Sequence, residues 1–98
     1  MPEARKVRVD ADIEWRVERT SSPPMLVAVC DGLGISVEAE SEEEIPGLIP
    51  ETMDLLMRDL HGDGELAGYL RARGLRSSRL PPRNARHVTF EVPWHLAA

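Results

Sequence analysis

The chain is poor in the residue types that carry most catalytic and metal-binding chemistry. Its 98 residues include one cysteine and three histidines. Cys30 alone cannot close an internal disulfide or furnish a cysteine-based zinc site. Its place in an apolar run marks it as a small buried hydrophobe. His61, His87 and His95 lack the close paired spacing, such as i and i+4, that metal ligands adopt. No metal and no other cofactor is therefore expected. No glycine-flanked serine forms a nucleophile elbow, so no catalytic residue is assigned and the chain is read as a non-enzyme. No apolar run approaches the roughly 18 residues of a membrane span. The first residues, MPEARK, lack the apolar core of a signal peptide, which makes the cytoplasm the expected compartment.

What the chain has in quantity is charge, unevenly placed. The net charge is −5. From Asp31 to Glu65 there are eleven acidic residues against one basic residue, Arg58. From Leu66 onward there are six arginines against one acid, Glu91. Such asymmetry suits either a self-complementary surface or an acidic face meant for a basic partner. It argues against nucleic acid as the main ligand, which needs a basic groove. The arginines Arg71, Arg73, Arg76, Arg79, Arg83 and Arg86 lack interleaved aromatics and read as a solvated loop.

Hydrophobic periodicity predicts the fold. Val7, Val9, Ala11, Ile13, Trp15 and Val17 alternate with polar residues, which predicts one long half-buried strand with Trp15 in the core. Glu18 to Pro24 reads as a polar loop. Met25 to Cys30 is apolar throughout, the pattern of a strand covered on both faces. Asp31-Gly32-Leu33-Gly34 supplies a tight turn, and Ile35, Val37 and Ala39 alternate with Ser36, Glu38 and Glu40 in a third strand. Ser41 is placed to cap a helix, with Glu44 reaching back as in a capping box. Ile45, Ile49, Met53, Leu56 and Leu60 form its apolar stripe, and Pro50 predicts a kink or restart. A shorter helix carries Leu66, Tyr69 and Leu70 and stops at Gly74. Residues 75–86 read as a basic loop, and Val88, Phe90 and Val92 as a fourth strand closed by Pro93. The expectation is a single α+β domain over 1–98, core 7–92: a three-stranded antiparallel meander, one main and one short helix, then a fourth strand, with the helices on one face of the sheet.

The ordered segments VAVCDGLGISVEAESEEEIPGLIPETMDLLMRDL, GELAGYLRARGL and VTFEVPWHL together resemble the HicB-like antitoxin family. The stretch Val37, Ala39, Ser41, Glu43 and Glu44 matches its V-x-A-x-S/T-x-E-E pattern. The resemblance implies a partial ribonuclease H-like fold. It also implies a role in a bacterial toxin-antitoxin system, neutralising a small basic mRNA-cleaving toxin of HicA type. Many members carry a C-terminal DNA-binding segment, whereas this chain stops at Ala98, so DNA binding by this chain alone is not expected. The partner-binding candidates are Asp31, Glu38, Glu40, Glu42 and Glu43 on an acidic face continued by Glu44, with Trp94 as an aromatic anchor. The alternative is a standalone structural or regulatory homodimer joined through a sheet edge or Trp94. Asp10, Asp12, Asp31 and Glu38 are the carboxylates on which a two-metal nuclease would have to draw.

Overall fold

In the computed structural model, residues 5–21 and 24–97 are described. The fold is α+β, and the described residues form two α-helices and seven strands in mixed sheets. The strands are β1 (Arg5–Asp10), β2 (Ile13–Ser21), β3 (Pro24–Cys30), β4 (Ile35–Ala39), β5 (Arg76–Ser77), β6 (Val88–Glu91) and β7 (Trp94–Leu96). The helices are α1 (Ile45–Gly62), entered through a 3₁₀ turn at Glu42–Glu44, and α2 (Leu66–Ala72).

The predicted first strand is two strands. Its alternation survives the interruption at Ala11–Asp12, because Val7, Val9 and Trp15 are all buried. The last strand is likewise interrupted at Val92–Pro93, where proline cannot donate to a ladder. The two interruptions match: β6 runs parallel to β1 and β7 parallel to β2. One sheet has the order β4-β3-β2-β7 and the other β5-β1-β6. In the first sheet β3 is antiparallel to both β2 and β4. The predicted loop at Glu18–Pro24 is mostly strand, since β2 reaches Ser21 and β3 starts at Pro24. The tip of that loop lies outside the described residues.

Register sorts the residues by face. Val17, Ala28 and Val37 align across three strands on one face, and Glu18, Val27 and Glu38 align on the other. The first face is covered: Leu26, Ala28 and Cys30 join Trp15, Phe90 and the α1 residues Ile45, Ile49, Met53 and Met57 in one core. The second face has no helix over it. Met25, Val27 and Val29 are accordingly half-buried, so β3 is covered on one face rather than two. Long charged side chains such as Arg16, Glu18 and Glu38 flank them instead.

Two turns depend on glycine. Gly34 closes the β3–β4 turn at φ 72, donating to Cys30 O at 2.9 Å, and Gly74 ends α2 at φ 68. Both conformations are costly for a residue with a Cβ. Tyr69 Oη donates to Leu33 O at 3.0 Å, and Arg73 stacks over the Tyr69 ring while donating to Gly32 O. α2 thus clamps the turn that sets the β3–β4 register.

The helix start differs from its prediction in one respect. Ser41 makes no side-chain cap. Glu44 does reach back, but its Oε2 accepts from the Glu40 N–H at 2.8 Å, one residue before the serine. α1 continues through Pro50 without a break. Pro50 falls early in the helix, opposite the Pro46 carbonyl, so one ladder bond is missing there. The buried stripe then drifts to Met57 and His61, while Leu56 and Leu60 are only half-buried.

Candidate partner-binding surface

Two clefts flank the first half of α1. In the first, β4 alternation turns Glu38 and Glu40 outward while Ala39 is buried. The 3₁₀ turn then brings Glu43 and Glu44 opposite them, and the next helical turn adds Glu51. These five glutamates, with Met25, Ala39, Gly47 and Leu48, line an open cleft of about 680 Å³. No arginine or lysine among the described residues lines it. Among the described residues Glu38, Glu43 and Glu51 have no ion-pair partner. Apolar Met25 and Leu48 among these carboxylates suit a lysine or arginine side chain, whose stem is apolar and whose head is cationic.

The second cleft, of about 610 Å³, lies between α1 and the β6–β7 edge and includes Pro50, Glu51, Asp54, Glu91 and Trp94. Glu51 lines both clefts, so they form one surface along α1 with Trp94 at its far end. Asp54 ties the helix to this edge, accepting from the Phe90 N–H at 2.7 Å. Trp94 is half-buried, with Ile13 opposite it in the parallel pair.

The structure thus gathers Glu38, Glu40, Glu43 and Trp94 from the sequence candidates, and places the other two elsewhere. Asp31 takes a two-point hydrogen bond from Arg16 (3.1 and 3.2 Å), which holds its carboxyl below the usual range. Glu42 faces Arg19 at 3.7 Å. The sequence reading missed Leu48 and Glu51. The spacing of Glu44, Leu48 and Glu51 is itself a helical one, on the side away from the buried stripe, and could have found them. The carboxylates considered for a nuclease stand in separate surroundings. Asp10 lies opposite Arg76, Asp12 binds His95, Asp31 binds Arg16 and Glu38 lines the acidic cleft. Among the described residues, no group of three His, Cys, Asp or Glu is placed to hold a metal ion, and no helix is long and apolar enough to cross a membrane.

His95 adds a titrating contact to the exposed face of β7. Its Nδ1 lies 2.7 Å from Asp12 Oδ1 and its Nε2 lies 3.6 Å from Glu14. The hydrogen bond to Asp12, seconded by Glu14, raises its pKa above the ordinary value near 6.5. The folded state therefore favours the protonated ring. That stabilisation is full below the unfolded pKa and is lost as pH rises through the folded one. In an NMR titration His95 should titrate above a free histidine, and Asp12→Asn should move it back down. Titration at or below the free value would refute the pairing.

Compared with family profiles, with curated proteins and with solved structures, the chain gives no match.

Proposed function

We propose that the chain is a non-catalytic binding module of HicB-like antitoxin type, whose acidic cleft docks a small basic mRNA-cleaving toxin of HicA type. The observation that carries this reading is the cleft itself: five glutamates from β4 and the residue after it, the 3₁₀ turn and α1, with apolar Met25 and Leu48 beside them and no cation among its described lining residues. Folding alone calls for one of these carboxylates, that of Glu44, which closes the helix entry. A basic partner entering the cleft would be steered by long-range attraction and held by charge-assisted hydrogen bonds.

The test is co-purification with the product of a short adjacent reading frame encoding a basic protein that is toxic when expressed alone. Glu38→Lys, Glu40→Lys and Glu43→Lys together should weaken the complex roughly 100-fold or more, because each attraction becomes a repulsion. They should also abolish protection from the toxin. Absence of a toxic basic neighbour, or a complex indifferent to the three reversals, would overturn the reading.

A homodimer is the second reading, and one observation favours it. Val17, on the same strand as buried Trp15, and Leu96, opposite Trp15 on the edge strand β7, are 39% and 43% exposed. Leu96→Glu should dissociate such a dimer in sedimentation velocity. A chain that sediments as a monomer before the change removes this reading.

A further inference from the structure

The cations that the sequence scatters are gathered by the fold. β5 pairs with β1 through Val9–Ser77 and Asp10–Arg76. Ser78 locks the pairing further, donating its N–H to Arg8 O at 2.8 Å while its Oγ accepts from the Arg8 N–H at 2.9 Å. The segment from Arg76 to Pro82 therefore runs beside β1, and two hollows of about 470 Å³ each form along that strand. Among the described residues, one is lined by Arg5, Lys6 and Arg79 with no acid; the other holds Arg8 and Arg76 with Asp10. Lys6 and Arg8 share Glu91 at 3.1 and 3.4 Å. Arg5, Arg76 and Arg79 are exposed and have no carboxylate partner among the described residues. Arg73 and Arg83, by contrast, serve the fold through Gly32 O and Gly62 O.

We propose that these two hollows, neighbours along β1, act as one groove that binds the phosphodiester backbone of a nucleic acid strand, through Arg5, Arg76 and Arg79. Three unpaired guanidinium groups beside a backbone-locked strand are suited to phosphate oxygens, which arginine grips by paired N–H donors. The three come from two hollows, Arg5 and Arg79 from one and Arg76 from the other, a distribution for more than one phosphate. A second copy of the chain would offer its acidic cleft, but cleft and groove are both concave and would meet rim to rim. A nucleic acid strand is a narrow ridge of charge that enters a groove. No aromatic side chain lines either hollow. Bases are therefore not stacked, and binding is independent of sequence and strongly dependent on salt. The groove belongs to the β5-β1-β6 sheet and the acidic cleft to β4 and α1, so this inference stands apart from the toxin reading.

Fluorescence anisotropy of a labelled mixed-sequence RNA of about 20 nucleotides, titrated with the chain, tests it. With three phosphates neutralised, the slope of log affinity against log salt should be about −2, or roughly 20-fold weaker binding between ~50 and ~200 mM salt. Arg5→Glu with Arg79→Glu should weaken binding more than tenfold at ~50 mM and flatten the slope to about −0.7. Both side chains are free of partners among the described residues, so the melting temperature should not move. Glu38→Gln with Glu40→Gln should leave the slope unchanged. No binding at ~50 mM salt, equal binding by the arginine variant, or a slope that follows the glutamates instead would overturn the proposal. So would self-association of the chain that the same two arginine reversals abolish, which would assign the groove to a second copy.

Discussion

Trp15→Ala is expected to cost about 3–5 kcal/mol, lowering the melting temperature by roughly 12–40 °C, whereas Trp15→Phe should cost about 1 kcal/mol or less. Trp15 is wholly buried near the start of β2, and its carbonyl accepts from the Ala97 N–H at 2.7 Å. Alanine would leave a cavity among Leu26, Ala28, Cys30 and α1, the kind of site where rigid surroundings close only in part. Phenylalanine also loses volume, but it removes a second liability. Trp15 Nε1 is buried with no protein hydrogen-bond partner, and an unpaired buried donor costs about 1–3 kcal/mol. The gain offsets much of the lost packing. Urea denaturation of the two variants separates the terms. Equal losses would mean that the indole shape, not its orphaned donor, sets the energetics here.

The same residue shows what the sequence made legible. Alternation from Val7 to Val17 placed Trp15 in the core because a period of two fixes the face, whatever the strand's exact limits. It could not show the interruption at Ala11–Asp12, since the side-chain parity continues across it. Nor could it show β5 and β7. Strands this short have no pattern of their own and exist because β1 and β2 offer free edges to residues far along the chain. Such pairing is non-local and leaves no local signal. The apolar run from Met25 to Cys30 misled for a related reason. Its outward members, Met25, Val27 and Val29, are shielded by charged side chains of neighbouring strands rather than by a second layer.

Legibility of the candidate site divides along the same line. Glu38 and Glu40 were readable because they alternate with buried positions on β4, and Glu43 because it begins a helix. Asp31 and Glu42 share their charge but not their surroundings, since Arg16 and Arg19 stand beside them only once β2 is in place. A carboxylate's availability depends on what the fold puts opposite it. The arginines divide likewise: Arg73 and Arg83 are taken up by carbonyls, while the segment held by the β1–β5 pairing sets Arg79 beside Arg5 and Arg76 beside Asp10.

Asp54→Ala is expected to cost about 1–3 kcal/mol, well above the few tenths expected for a surface helix carboxylate. Asp54 has two partners. Arg58, one helical turn on at 3.2 Å, is half-exposed, so that ion pair is worth about 0.3–0.5 kcal/mol. The other is the Phe90 N–H at 2.7 Å, on the side of β6 away from β1, where no strand is available to take it. Phe90 itself is buried, so alanine at 54 leaves its amide unpaired in a site that water reaches poorly. Asp54→Asn keeps an oxygen in place and should cost less than half as much, and Arg58→Ala should cost almost nothing. Hydrogen exchange supplies the local readout: the Phe90 amide should lose protection in Asp54→Ala and keep most of it in Asp54→Asn. Because Asp54 also lines the cleft beside Trp94, a loosened α1–β6 contact would disturb that end of the surface while leaving the β4 carboxylates in place. If Asp54→Ala instead matches Arg58→Ala in stability and Phe90 stays protected, the link between α1 and the sheet edge is not the carboxylate but the apolar packing of Phe90 alone.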